Sequence, residues 1–329
     1  MNGTGIDDPA ISPVEAAPLV VVTGANGFIG RHLVQALVRA GFRVRAVQRS
    51  GTAVATAVEG APHPGVAANA DWQPVLAGAD AVVHLAGLAH MALGDRTMRQ
   101  RLRRVNVLST HRLAQAAAQA GVSTFVFMSS IKAVADHSGP APLTETTPPL
   151  PEDCYGLAKL ATERRLQRLA TTAPAMRILT LRPPLVYGPG ATANFAALAR
   201  LVRRGLPLPL GAVRNRRSLI YVGNLAAAVV RCLQRRDVPS GTFHLSDGPP
   251  VSTPELVRAI AMAQGRPARL VNMPPKWLSI AADAFGRRAQ LARLQGSLEV
   301  SNRRFCRSFD WEPPFTLQQG LQATLQARA

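Results

Sequence analysis

Three side chains of this sequence can do chemistry together. Ser129 and Ser130 close the run Val122 to Met128, which has the length and the β-branched and aromatic content of a buried strand. Further on, Tyr155 and Lys159 stand four residues apart, just after Asp153. Asp153 is of a type that caps helix N-termini, and the i, i+4 spacing puts phenol and ammonium on one helix face. A free tyrosine titrates near about 10 and is a poor acid or base at neutrality. A nearby positive charge stabilises the phenolate and moves the group toward the working pH. A serine hydroxyl at a strand end can hold the oxygen that the tyrosine protonates or deprotonates. Tyr-x-x-x-Lys alone is common on helices. It gains meaning only beside a site for an electron carrier.

Such a site is written at Leu19 to Gly30, LVVVTGANGFIG. Leu19 to Val22 reads as a strand buried on both faces. Glycines follow at 24, 27 and 30, and an amphipathic helix, Ile29 to Ala40, begins at once, with Gly41 as its C-terminal stop. Strand, glycine turn and helix N-terminus in that order form an anion site, where bare backbone lets a pyrophosphate approach the helix dipole. The second strand, Val44 to Gln48, leads into Arg49 and Ser50 with no carboxylate nearby. An acid there would favour NAD, while arginine accommodates a 2′-phosphate. Arg49, with Arg31 as added charge, therefore favours NADP(H), with NAD(H) as the alternative. Residues 51 to 65 read as a loop, Val66 to Ala70 as a short strand and Ala81 to Leu85 as another buried strand. The small residues of Leu85-Ala86-Gly87 suit a turn beside the cofactor. A long helix, 96 to 120, contains Asn106. Alternating strands and helices argue for an α/β chain with a parallel, doubly wound sheet.

Composition narrows the class. A length of 329 residues with 47% hydrophobic content excludes a disordered chain. Three separated cysteines make neither a disulfide framework nor a zinc spacing, and no metal is expected. The formal charge of +19 is carried by arginine, with lysine only at 132, 159 and 276. The arginines are spread over many helices, as solvated faces are, so no nucleic-acid partner is expected. No membrane span or signal peptide is read, and the chain is expected in the cytoplasm. Residues 1 to 17 read as a loose tail.

The motifs together resemble the extended short-chain dehydrogenase/reductase family, in its nucleotide-sugar epimerase/dehydratase branch. The pieces are TGANGFIG at 23–30, HLAG at 84–87, VNV at 105–107, SS at 129–130 and YGLAK at 155–159, with LRPPLVYGPG at 181–190 and RSLIYVGNLA at 217–226. The resemblance runs from Leu19 to the C-terminus. It implies a Rossmann-type doubly wound sheet over 18–184 and a smaller, mainly substrate-binding domain over 185–329, with segments returning to the sheet. It implies Ser130, Tyr155 and Lys159 as catalytic residues. Cofactor contacts would come from Gly24, Asn26, Gly27, Phe28, Ile29, Gly30, Arg49, Leu85, Ala86 and Gly87, and from Tyr155, Lys159, Arg182 and Pro183. Lys132, Asn194 and Arg217 would meet the substrate, a UDP-linked sugar, with Arg217 on the diphosphate. Pairing of the helices 96–120 and 153–171 would make a homodimer.

Departures from the family pattern select the reaction. Sugar 4,6-dehydratases resemble one another in an acidic pair after the strand-five serine or threonine, and Ile131-Lys132 stands there. Ala133-Val134-Ala135 replaces a tyrosine-containing segment, and Val222-Gly223-Asn224 lacks the usual acid. SSIK and residues 217–224 resemble a subgroup of 4-epimerases and of 4-ketoreductases of UDP-6-deoxy-N-acetylhexosamines in surface-polysaccharide synthesis. Four readings follow: 4-ketoreductase, 4-epimerase on the same residues, reductase of non-sugar carbonyls, and a non-catalytic dinucleotide sensor or nucleic-acid binder. The intact Ser130, Tyr155 and Lys159 set speaks against the last. In the C-terminal half, His244 reads as a packed strand residue and residues 251–255 as a cap and first turn, with Thr253 before Pro254 at N1. Trp277, Phe285, Phe305 and Trp311 read as the core of the small domain.

Overall fold

The computed structural model describes residues 17–48, 58–67, 70–88, 96–191, 193–274 and 294–326. Strand β1 (Leu19–Thr23) is apolar except for its last residue and buried throughout. Val20 and Val22 pack into one layer and Val21 into the other, so the strand is covered on both faces. Around it lie β2 (Arg43–Gln48), β3 (Val58–Pro62), β4 (Ala81–His84), β5 (Thr124–Met128) and β6 (Arg177–Arg182). Two short strands, β7 (Leu185–Tyr187) and β8 (Leu219–Tyr221), pair with each other, and β9 (Gly241–His244) returns to the main sheet. The main sheet runs β3-β2-β1-β4-β5-β6-β9, all parallel. Val22, Val83, Val126 and Leu179 stand in register across it, a row of side chains on one face. Strand order reverses between β1 and β4, so a crevice opens at their carboxyl ends.

Helices α1 (Phe28–Arg39) and α7 (Val222–Gln234) cover one face through Leu33, Leu37, Leu225 and Val229. The other face is covered by α2 (Gln73–Leu76), α4 (Ser109–Gln119) and α5 (Cys154–Thr172), through Leu76, Leu113 and Leu166. The helix expected over 96–120 is a continuous run with a defect. It comprises α3 (Arg96–Leu102), a π-helical turn (Arg103–Leu108) and α4. A separate core lies under α6 (Ala193–Arg203) and α8 (Thr253–Ala263), with Tyr187, Phe195, Tyr221 and Ile260 inside.

Three expectations are corrected. The third strand is Val58–Pro62, not 66–70. It is a half-exposed edge strand containing Gly60 and Pro62, so no apolar run announces it. Helix α8 is capped by Ser252, whose hydroxyl accepts from the Glu255 amide in a capping box, and Thr253 is its first residue. Phe305 and Trp311 do not fill the small-domain core. With Phe309 of α9 (Arg303–Phe309) they pack on Phe243 and the main sheet, while α10 (Leu317–Gln326) follows. Trp277 and Phe285 lie outside the described residues, as do residues 1–16 of the expected tail. Among the described residues no helix is long and apolar enough to cross a membrane. Because Phe309 is fully buried in the sheet's own core, Phe309→Ala is expected to cost about 3 to 5 kcal/mol. Urea denaturation of the full chain reads this, and a loss below about 1 kcal/mol contradicts the packing described.

Candidate active site

The glycine turn is closed by its own backbone. Gly24 has φ +73° and touches the turn after β4, where an added Cβ would stand 2.9 Å from the Ala86 nitrogen. At Gly30 the same atom would stand 2.1 Å from the Gly24 carbonyl oxygen. Neither position has room for a side chain, so the first turn of α1 presents bare amides. The Gly27 N-cap makes no side-chain hydrogen bond, and no acidic residue lies in that first turn. These residues fit a dinucleotide pyrophosphate. Asn26 Nδ2 donates to Gln48 Oε1 at 3.1 Å and ties the turn to the end of β2. Arg49 lies outside the described residues. The Arg31 guanidinium lies against Gly190, the loop after β7 rather than the end of β2.

Below the turn, Thr23 Oγ1 and His84 Nδ1 are 2.7 Å apart, and His84 Nε2 is 2.8 Å from Thr110 Oγ1. Burial, helped by Lys159, lowers His84 to about 3, so the ring is neutral. Asn106, on the π-helical turn, brackets the Leu85-Ala86-Gly87 segment. Its Oδ1 accepts from the Leu88 amide at 2.8 Å, its Nδ2 donates to the Leu88 carbonyl at 2.9 Å, and Gly87 leaves room for it. The Asn106 carbonyl also accepts from Thr162 of α5 at 3.0 Å. One residue thus links the loop after β4 to the helix that carries Tyr155.

The three expected catalytic residues come together. Asp153 caps α5 through Oδ1, which accepts from the Gly156 amide at 2.7 Å. The ring of Tyr155 is 5.7 Å from Lys159 Nζ, and Ser130, just after β5, lies near enough to the phenol to oppose the rise of its pKa. Lys159 Nζ donates to the Met128 carbonyl at 2.7 Å and stands 4.7 Å over the Phe127 ring. Burial lowers Lys159 to about 8, while Glu163 pulls the other way. Burial pushes Tyr155 up to about 12. Asp153 adds to the rise and Ser130 opposes it. Desolvation of the phenol outweighs an ammonium that is itself buried.

Glu163 holds the site from behind. It lies one turn beyond Lys159, is 1% exposed, and accepts from Ser129 Oγ. Its carboxylate also takes Arg182 Nε at 3.0 Å and a second Arg182 nitrogen at 2.5 Å. A further Arg182 nitrogen is 3.3 Å from His244 Nε2, and His244 is buried on β9. The Arg182 side chain is thus committed to a buried fork, not aimed at a cofactor. The Pro183 carbonyl accepts from the Ile131 amide at 3.0 Å and braces the turn after Ser130. Sequence reasoning passed over Glu163. Its spacing from Lys159 was the available signal.

On the substrate side the expected residues diverge. Arg217 is part-buried, exchanges backbone hydrogen bonds with Val251 and donates to the Gly296 carbonyl at 2.8 Å. The side chain of Asn194 lies outside the described residues, although its backbone belongs to α6. Lys132 is bound by Asp136 Oδ1 at 2.6 Å and by Asp153 Oδ2. The acid missing at Asn224 is supplied from another loop. Asn224 Nδ2 donates to Asp247 Oδ1 at 2.7 Å, and Asp247 Oδ2 accepts from the Tyr221 amide at 2.8 Å. Burial raises Asp247 to about 6.

Two outcomes follow from this geometry. Gly30→Ala must push the Gly24 carbonyl aside, so calorimetric titration is expected to show at least about tenfold weaker dinucleotide binding. Glu163→Gln leaves the Arg182 charge buried without its counterion and is expected to cost about 3 to 5 kcal/mol in urea denaturation.

Known proteins match most of the chain. The family model for the NAD dependent epimerase/dehydratase family matches residues 20–245. UDP-glucose 4-epimerase of Vibrio cholerae is 34% identical over 320 residues, covering 94% of each chain. An Escherichia coli O157:H7 protein, N-acetyl-alpha-D-glucosaminyl-diphospho-ditrans,octacis-undecaprenol 4-epimerase, is 25% identical over 93% of this chain and 94% of its own. Among solved structures, MoeE5 in complex with UDP-glucuronic acid and NAD superposes with a TM-score of 0.74 at 27% identity, over 94% of this chain and 98% of that one. The glycine turn, the Ser130, Tyr155 and Lys159 site and these matches together make the chain a member of the NAD-dependent epimerase/dehydratase family of extended short-chain dehydrogenases/reductases.

Proposed function

We propose that the chain reduces the C4 ketone of a UDP-linked 4-keto-6-deoxy-N-acetylhexosamine, with NADP(H) preferred over NAD(H). The observation that carries this reading is the grouping of three side chains at the carboxyl end of β5: Tyr155 and Lys159 share one face of α5 with the ammonium 5.7 Å from the ring and held by the Met128 carbonyl at 2.7 Å, Ser130 follows β5 beside them, and burial favours the protonated phenol. A phenol that keeps its proton at neutral pH is set to give it to an oxygen gaining negative charge. Carbonyl reduction needs that, whereas alcohol oxidation needs a base. When bound, the nicotinamide dinucleotide supplies the hydride donor or acceptor. Ser130 holds the C4 oxygen and Tyr155 protonates it. Lys159, fastened by the Met128 carbonyl, stabilises the phenolate that remains. Ile131 is buried in an apolar cluster and Lys132 is bound to two aspartates, so positions 131 and 132 offer no acid and base for dehydration. Arg49 would take a 2′-phosphate, and Asn194 and Arg217 the diphosphate and sugar. MoeE5 in its complex with UDP-glucuronic acid supports a UDP-linked substrate.

The 34% identity to the Vibrio cholerae UDP-glucose 4-epimerase favours a second reading, 4-epimerisation on the same residues. Net cofactor consumption separates the two. The full chain is incubated with the UDP-4-keto sugar, UDP-glucose or UDP-N-acetylglucosamine, with NADPH and NADH in parallel. Steady NADPH loss with the keto sugar supports reduction, and epimer formation without net loss overturns it. In either case Tyr155→Phe is expected to lower kcat by about 10²- to 10⁴-fold while NADPH still binds.

A further inference from the structure

Lys132 is one of three lysines in the chain and lies two residues beyond Ser130. Its ammonium has two carboxylate partners. Asp136 Oδ1 is 2.6 Å away, one turn further on, and the other partner is Asp153 Oδ2. The second oxygen of Asp153 caps α5, and Tyr155 is the second residue of that helix. On the other side, Ser130 Oγ accepts from the Lys132 amide at 3.3 Å, and Ser130 lies near enough to the Tyr155 phenol to oppose its rise. Lys132 therefore ties the turn that carries Ser130 to Asp153, the cap of the helix that carries Tyr155. Backbone contact tightens it, since a Cβ on Gly156 would stand 2.3 Å from the Lys132 carbonyl oxygen. That glycine lets the catalytic helix press against the turn that carries Ser130.

This arrangement does not suit a ligand for a diphosphate. An ammonium has three protons to donate, and two of them are directed at carboxylates. Lys132, Asp136 and Asp153 together carry one net negative charge, the wrong sign for an anion. Burial pulls the Lys132 ammonium down, but the hydrogen bonds from Asp136 and Asp153 outweigh it and hold the group above its ordinary value. It stays charged throughout the working range.

We propose that Lys132 is a positioning residue, which clamps the Ser130 turn to the N-terminus of α5 and masks the Asp153 carboxylate from the Tyr155 phenol. The masking has a definite sign. Asp153 is the charge that raises Tyr155, after burial, and Lys132 is bonded to its outer oxygen. Among the described residues, α5 and the elements packed against it carry other charged groups. Lys159 stands 5.7 Å from its ring. Glu163 is further along α5 and is neutralised by Arg182 of β6. The arginines of α3 and of the π-helical turn that pack against α5 are exposed. Loss of the Lys132 charge uncovers two carboxylates and moves the phenol up. Loss of the Asp136 charge leaves Lys132 wholly to Asp153 and moves the phenol down.

The proposal deepens the hydride-transfer reading of Tyr155, and its test needs no sugar substrate. Tyr155 is titrated by ¹³C-tyrosine NMR in the full chain saturated with NADP⁺, where a cationic ring near the phenol lowers its midpoint. The Tyr155 signal is assigned by its absence from the Tyr155→Phe spectrum, which retains those of Tyr187 and Tyr221. Lys132→Met is expected to raise the Tyr155 midpoint and Asp136→Asn to lower it, each by roughly half to one pH unit. Lys132→Arg, which keeps the charge, stays near the parent value. Shifts in the same direction, or none, overturn the proposal. If Lys132→Met does not fold, Asp136→Asn decides alone, because it leaves Asp153 paired. Where a turnover assay exists, Lys132→Met is expected to lower kcat by about 10- to 100-fold with KM within about twofold. A raised KM with kcat kept marks a substrate ligand and overturns the proposal. Failure to find any sugar substrate bears on the function reading and leaves the titration result standing.

Discussion

The buried fork between Glu163 and Arg182 is the interaction on which the site depends. It joins α5 to β6 and is reached by Ser129 from the end of β5 and by His244 from β9. Four elements, β9 the most remote in sequence, are thereby fastened at one end of the sheet. A buried ion pair is weak evidence for net stability, because desolvation offsets much of the attraction. Its use here is geometric. The bidentate fork admits one orientation of α5 relative to the strand ends, and that orientation brings Tyr155 to Ser130 and Lys159 to the Met128 carbonyl. Apolar packing alone, with Leu166 and Leu169 against the sheet, would tolerate small slides of the helix.

Burial sets the electrostatics of the same region. His84 is kept neutral, Lys159 is drawn down to about 8 and Tyr155 is raised to about 12. Each shift follows from removing the charged form from water, and each is modified by named neighbours. In the proposed reduction the phenol, with Ser130 beside it and the Lys159 ammonium behind it, delivers the proton. The glycine turn supplies the complementary half, a neutral concavity of amides whose shape is enforced by the Gly24 carbonyl against Gly30.

Local patterns were legible in the sequence, and long-range pairings were not. The Tyr155 and Lys159 spacing, the Asp153 cap and the glycine turn each lie within one or two turns of chain, where residue type dictates geometry. The double burial of β1 was equally plain from its valines. Strand β3 escaped because an edge strand with a glycine and a proline carries no apolar signature. Phe305 and Trp311 were recognised as core residues, but a hydrophobic side chain does not name the core it joins. Their place beside Phe243 depends on β9 returning to the sheet. Arg182 was placed by its motif along the backbone, whereas its side chain turns to a glutamate 19 residues earlier. Asp247 meets Asn224 of α7 from 23 residues away, a pairing that no local pattern announces. Lys132 read as a substrate ligand because its two aspartates arrive from 4 residues and from 21 residues away.

The central claim is that Ser130, Tyr155 and Lys159 serve reduction at C4 of a nucleotide sugar. It is tested most directly by the fate of a label. The full chain is given a UDP-4-keto-6-deoxy-N-acetylhexosamine and NADPH deuterated at its transferable position, and the product is examined by NMR. The account predicts one deuterium, bound at C4 of the product sugar. A product without deuterium at C4, or with the label on another carbon, would contradict it.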